Sequence, residues 1–215
     1  MSRIEPVNDA LAKTLWSCTV RQLWSEQDEG PYHRDAQPTR RDVVEDRQGV
    51  ALQLGIRLAH AGDEPRGDAT VEIWQCDALG RYSGFPPPDT SVVATASTAP
   101  RGEYLAGQTF LRGRQTTDTA GMVEFRTIYP GWYPGRTVHI HLMVHTGDAV
   151  LTSQLYFPDD VSDRVLATAP YDERPGRDTR NATDEIFPTG GDPAVLDVSE
   201  DGDGYRAAIC LVVPG

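Results

Sequence analysis

The chain has 215 residues, a formal charge of −12 and a pI near 4.7, which argues against nucleic acid or an anionic membrane surface as a partner. No apolar run approaches the ~20 residues of a membrane span, and the amino-terminal MSRIEPVNDALAKTLW lacks the basic-then-apolar pattern of a secretory signal. The expectation is a cytoplasmic chain, or a secreted one if a leader has been removed, long enough to bury a core without disulfides.

In chain order, VNDALAKTLW (7–16) has the periodicity of a short helix inside an N-terminal extension, 1–28. VALQLGIRLAH (50–60) is the clearest strand, with Val50, Leu52, Leu54, Ile56 and Leu58 alternating with Ala51, Gln53, Gly55 and Arg57. After the polar turn AGDEPRGDA, VEIWQC (71–76) reads as a second strand. GQTFLRG (107–113), MVEFRTI (122–128), TVHIHLMV (137–144), VLTSQLYF (150–157) and YRAAICLVV (205–213) complete the set, and DDVSDRVLAT (159–168) predicts a second short helix. Residues 83–104 and 170–203 carry no periodicity, and 158–204 reads as a long loop region before the last strand. The predicted fold is all-β: one domain, a β-sandwich of about eight short strands with long loops and one or two short helices.

Cys18, Cys76 and Cys210 are scattered without a C-x-x-C spacing, so a cysteine-based metal site is not expected and the three read as small apolar residues. A Cys18–Cys76 bridge stays open at this level.

The stretch IYPGWYPGRTVHIH (128–141) carries the chemistry. On a strand His139 and His141 share a face with Cα atoms ~6.6 Å apart, so their imidazoles either converge on one metal ion or sit half-buried against neighbours. His145 is on the same face but ~13 Å beyond His141, too far for the same ion. His33 and His60, the remaining histidines, have no ligand-like neighbours in sequence. Met143 stands where a metallo-hydrolase pattern places aspartate, and a His-x-Asp/Glu facial triad is absent. Further ligands must be of another type. Tyr82, Tyr129 and Tyr133 are candidates; taken singly each is a packing residue, but phenolate is a hard anionic donor suited to Fe(III).

Several segments, in chain order, carry a resemblance: EGPYHRD (29–35) with RRDVVED (40–46), VEIWQCDALGRYSG (71–84), GQTFLRGRQTTDTAGMVEFRTIYPGWYPGRTVHIH (107–141) and LTSQLYF (151–157). Together they resemble the intradiol ring-cleavage dioxygenases, which include the protocatechuate and catechol enzymes. The resemblance implies a non-haem Fe(III) cofactor held by Tyr82, Tyr133, His139 and His141. It implies cleavage of a catecholic ring by O2 to a cis,cis-muconate-type dicarboxylic acid. Tyr133 takes the role of the axial ligand that leaves the iron when substrate binds and accepts a substrate proton. Arg136 matches an arginine that stabilises anionic substrate, and Gln154 a glutamine facing substrate and oxygen. Tyr32 and Trp132 are assigned with these two to the substrate pocket, Tyr129 to a pocket wall or strand end, and Trp74 and Phe125 to the core.

Two departures limit the transfer. The Tyr133–His139 spacing is short, which implies a smaller lid, and the long helical N-terminal segment used for dimerisation by catechol and hydroxyquinol enzymes is missing. The chain looks like the stand-alone branch, whose members are often secreted. A homodimer is compatible with the sequence but is not implied, and the catechol itself is not specified. The competing readings are a non-catalytic transthyretin-type binding module and a zinc hydrolase using the same histidine pair.

Overall fold

The computed structural model describes residues 6–22, 27, 29–35, 37–86, 107–147, 149–189 and 192–213. Two β-sheets face each other. One is built from β1 (Val20–Gln22), β2 (Ala51–Ala59), β5 (Met122–Ile128), β8 (Asp197–Asp201) and β9 (Gly204–Val212). The other contains β3 (Thr70–Trp74), β4 (Arg112–Thr116), β6 (His139–Thr146) and β7 (Ala149–Tyr156). Helices α1 (Asp9–Ser17) and α2 (Asp159–Leu166) flank them.

In the first sheet the order is β1-β9-β2-β5; β2 runs parallel to β9 and antiparallel to β5. The free edge of β9 is shared by β8, against its first half, and β1, against its second. The second sheet, β4-β3-β6-β7, is antiparallel throughout. Alternation sends Leu52, Leu54, Ile56 and Leu58 of β2 into the gap, where they meet Val71, Ile73, Ile140, Leu142 and Leu155 from the opposite sheet. Each of these is at most 1% exposed, so this is where most of the apolar stabilisation resides.

The all-β expectation holds, with nine strands and two short helices among the described residues. Three local differences have physical causes. Residues 107–111 are not strand: β4 starts at Arg112 because the backbone at Leu111 enters the left-handed region (φ 57), and the strand extends to Thr116. The 158–204 region is not one long loop. Besides the expected helix, α2, it contains four 3₁₀ turns and β8, tied down by polar contacts such as Arg177 Nε to Thr179 O at 2.9 Å and Arg177 Nη2 to Thr137 Oγ1 at 2.9 Å. β1 and β8 escape pattern reading because they are short edge strands, and β8 (DVSED) has no buried residue to create an alternation. Of the segment 83–104, residues 87–104 lie outside the described residues.

The outer faces of the sheets divide the remaining work. On the first, α1 buries Leu11 and Leu15 against Met122, Ala208 and Cys210. On the second, β6 presents His139, His141, Met143 and His145, and the segment 29–35 lies across them.

Candidate metal centre

Strand register assembles one row across the outer face of the second sheet. Arg112 on β4 pairs with Trp74 on β3, Trp74 with His141 on β6, and His141 with Gln154 on β7. Directly opposite cross-strand residues have neighbouring Cβ atoms, so four separated sequence segments meet in one line. Trp74 stacks flat on His141, with centroids 4.9 Å apart and planes 6° from parallel. Trp74, expected in the core, is buried but forms a wall of the site.

His139 and His141 are 2% and 1% exposed, and their Nε2 atoms converge to 3.1 Å. His139 Nδ1–H donates to Thr137 O at 2.7 Å, which assigns its Nε2 as the lone-pair nitrogen directed into the site. Tyr133 Oη donates to that nitrogen at 3.2 Å. Burial pushes His139 down to about 3, helped by Arg136, and holds His141 well below its ordinary range, so both rings are neutral donors.

Tyr133 reaches the site through a tight turn. Residues 133–136 read Tyr-Pro-Gly-Arg; Gly135 has φ 80 and Arg136 N–H donates back to Tyr133 O at 3.3 Å. Proline then a left-handed glycine is the type II turn pattern, and it projects Tyr133 and Arg136 from one compact unit. Tyr82 follows a turn stapled by Asp77, whose Oδ1 accepts from the backbone N–H of Leu79 and Arg81, each at 2.9 Å. Gly131 N–H donates to Asp77 O at 3.2 Å, which joins the two tyrosine-bearing loops.

Tyr32 stacks on Tyr82 at 4.2 Å and meets Tyr133 edge-on at 6.0 Å, while Tyr82 and Tyr133 meet edge-on at 5.8 Å. Tyr82 Oη is buried and makes no hydrogen bond of normal geometry among the described residues, although the Tyr133 phenol is close enough to act on it electrostatically. Burial pushes Tyr133 up to about 12 and Tyr82 well above the ordinary phenol range. Neither phenol ionises at neutral pH unless a cation is bound beside it. Gly30, at φ 72, brings the covering segment against His141; a side chain there would meet His141 Cε1 at 3.2 Å.

Tyr82, Tyr133, His139 and His141 are therefore brought together, and their chemistry fits a hard trivalent cation: two neutral imidazoles and two phenols that ionise against positive charge. Among the described residues no group of three or more His, Cys, Asp or Glu is placed to hold a metal ion, so the phenols are needed to complete a ligand set.

Arg136 sits at the rim. Its Nε donates to Asp184 Oδ2 at 2.9 Å and one Nη to Gln154 Oε1, which also accepts from Tyr156 Oη at 3.2 Å. Burial opposes its charge, but Tyr133 and Asp184 outweigh burial and raise Arg136 above its ordinary value. Sequence reading missed Asp184, which is 2% exposed and accepts four hydrogen bonds; nothing in the local pattern TDEIF distinguishes it. It also missed Arg112, which is 1% exposed. The Arg112 fork grips Ser83, the residue after Tyr82, through Oγ at 2.7 Å and O at 3.0 Å. No carboxylate pairs with it among the described residues, and burial pushes it down to about 9.

Other expected residues lie elsewhere. Trp132 is not brought into the cluster: its Nε1–H donates to Arg174 O at 2.9 Å, the Arg174 guanidinium covers its ring at 4.9 Å, and it packs with the inter-sheet core. Tyr129 is core, bonded to Ser162 Oγ at 2.9 Å. His33 and His145 flank buried Glu72 at 3.8 and 3.4 Å.

Known proteins resemble this chain in sequence and in fold. A family model described as Dioxygenase matches residues 23–174. The beta chain of protocatechuate 3,4-dioxygenase from Burkholderia cepacia is 29% identical over 150 residues, which cover 64% of this chain and 57% of that relative. An intradiol ring-cleavage dioxygenase from Tetranychus urticae superposes with a TM-score of 0.79 at 31% identity, covering 91% of this chain and 94% of its own. The dioxygenase domain of a dioxygenase–carbohydrate-binding protein fusion from Streptomyces sp. SirexAA-E superposes with a TM-score of 0.65 at 28% identity, over 88% of this chain and 96% of that one.

Proposed function

Because this chain belongs to the intradiol ring-cleavage dioxygenase family, we propose that it cleaves a catecholic ring with O2 at a non-haem Fe(III) site, giving a muconate-type dicarboxylic acid. The observation that carries this reading is the meeting of two neutral imidazole Nε2 atoms, 3.1 Å apart, with two buried phenols. Tyr82, Tyr133, His139 and His141 would hold the metal. Ferric iron, when bound there, would supply Lewis acidity toward a catecholate and a one-electron acceptor.

The chain's own residues supply the rest. Tyr133, as the phenolate, accepts one of the two protons a catechol must lose to chelate, and the Tyr-Pro-Gly-Arg turn keeps it within reach of the site. Tyr82 stays in place because Tyr32 stacks on it and Arg112 grips the next residue. Arg136 stabilises negative charge developing on the substrate, and its bond to Asp184 fixes its direction in advance of the reaction. Gln154 is oriented by Arg136 and Tyr156 and faces the histidine pair from β7. Tyr32 and Trp74 exclude water from the two sides of the cluster.

The test combines colour and turnover. Protein loaded with ferric iron is expected to show a visible tyrosinate-to-iron charge-transfer band. It is expected to take up oxygen with at least one of catechol, protocatechuate, hydroxyquinol or a larger catechol. Protein that binds zinc in preference, stays colourless with ferric iron and consumes no oxygen on any catechol would overturn the proposal and favour a hydrolase.

A further inference from the structure

The three cysteines are free thiols, and the structure sorts them differently from their order in sequence. Cys76 is buried in the aromatic cluster beside the metal centre, with Sγ directed at Gly131 O at 3.5 Å. Cys18 and Cys210 meet on the other side of the molecule. Cys18 follows the last turn of α1 and leads into β1, where Val20 pairs with Cys210 of β9. Cys210 belongs to the small cluster of Leu11, Leu15, Met122 and Ala208, and half-buried Cys18 packs against the same cluster. The Cys210 sulfur also reaches Leu15 O, at 3.2 Å, so it lies directly under α1. The bridge left open by the sequence, Cys18–Cys76, is excluded by this arrangement, because the two residues occupy separate clusters.

We propose that Cys18 and Cys210 are a redox-active pair that closes into a disulfide, fastening α1 to the final strand. The asymmetry of their surroundings sets the order of events. Cys18 is the accessible member, and the neighbouring Cys210 thiol lowers it from the ordinary thiol range, with burial and Asp197 opposing and Arg21 and Arg57 assisting. The more accessible thiol, held below its ordinary range, is the nucleophile of thiol–disulfide exchange. Cys210, raised by the Cys18 sulfur and by burial, is the resolving thiol.

With a small-molecule disulfide as oxidant, the Cys18 thiolate attacks one of its sulfurs. A mixed disulfide forms and one small thiolate leaves. Cys210 then loses its proton and attacks Cys18 Sγ, which forms the protein disulfide and expels the second thiolate. Overall, two cysteine thiols are oxidised by two electrons, one small disulfide is reduced to two thiols, and both protons are transferred to the departing thiolates.

Closure would act on the attachment of the N-terminal helix. Besides the packing of Leu11 and Leu15, contacts of α1 and its N-terminal approach include Asn8 N–H to Glu124 Oε2 at 2.8 Å, Arg41 to Pro6 O at 2.7 Å and the Trp16 ring against the Arg57 guanidinium at 4.9 Å. A bridge from residue 18 to residue 210 encloses most of the chain, and long loops are where cross-linking stabilises most. For a protein of this size the expected rise in Tm is about 4–16 °C.

The experiment uses the full chain treated with glutathione disulfide and compared with reduced protein. Intact mass is expected to fall by two hydrogens, peptide mapping to join Cys18 to Cys210, and Tm to rise. Cys18→Ser should abolish all three effects, whereas Cys76→Ser should preserve the linkage. Cys18→Ser changes a half-buried position, so the test survives if Cys210→Ser does not fold. A stable glutathione adduct on Cys18 with Cys210 still alkylatable, or a linkage involving Cys76, overturns the proposal. A linkage formed without any rise in Tm overturns the fastening of α1.

Discussion

Replacement of Asp184 by asparagine tests whether one buried carboxylate organises the rim of the metal centre. Its Oδ2 accepts from Arg136 Nε at 2.9 Å and Thr137 N at 2.8 Å, and its Oδ1 from Ile186 N at 2.8 Å and Phe187 N at 2.9 Å. Both oxygens are therefore filled by donors alone. Asparagine keeps the shape, but in either orientation its NH2 faces two N–H groups and can accept from neither. Two hydrogen bonds are lost in either orientation, and the Arg136 guanidinium loses its carboxylate. Breaking a buried pair of this kind costs about 3–5 kcal/mol. With a urea slope of about 2 kcal/mol/M, the unfolding midpoint of the metal-free protein should fall by about 1.5–2.5 M at unchanged slope. The exposed Asp160, paired with Arg164 at 3.0 Å, is the control: Asp160→Asn should leave the midpoint where it was. A loss below about 1 kcal/mol for Asp184→Asn would refute the reasoning, because the four contacts could not then be made as described.

Tyr133→Phe removes the proton acceptor and the contact with His139 but leaves the two imidazoles and Tyr82; iron should stay bound while kcat falls by about 10²-fold or more, checked by metal content and steady-state rates. His141→Ala removes a ligand and the partner of Trp74, so most of the metal should be lost on dialysis, read by elemental analysis. The buried histidines also predict an acid-sensitive metal-free protein. His139 is pushed down to about 3, so between about pH 6.5, where unfolded histidine titrates, and that value the unfolded chain binds more protons. Stability should thus fall as pH drops through this window, because the unfolded imidazoles take up protons that the buried rings refuse, and urea midpoints independent of pH from 7 to 5 would contradict this. Arg112→Met should change stability by no more than about 1.5 kcal/mol, since loss of the Ser83 contacts is offset by relief of a buried unpaired charge, yet shift the charge-transfer band by releasing the residue after Tyr82.

Much of the fold was legible because its strands obey local rules. Residues 122–128 read as a strand and are one, with Val123 and Phe125 turned into the inter-sheet core and Met122 toward α1. β2 was equally plain, with Leu52, Leu54, Ile56 and Leu58 on one face. The start of β4 was misplaced because the left-handed turn at Leu111 has no glycine to announce it. The 158–204 region was read as irregular because its order comes from side-chain contacts with residues far away in the chain, such as Arg177 with Thr137 Oγ1 and Asp184 with the Thr137 backbone N–H, which leaves no periodicity.

Within the candidate site, the His-x-His pair and the Tyr-Pro-Gly-Arg turn could be read directly: two-residue strand alternation puts His139 and His141 on one face, and proline followed by glycine sets the turn geometry. Those are consequences of backbone stereochemistry over a few residues, and the sequence suffices for them. Tertiary structure alone decided that Trp74 stacks on His141 while Trp132 turns to Arg174, and that Arg112, Trp74, His141 and Gln154 form one row. It alone placed Asp184 behind Arg136 and Cys18 beside Cys210 rather than Cys76. The physical reason is that cross-strand register and loop docking depend on the packing of segments far apart in the chain, and no local pattern carries that information.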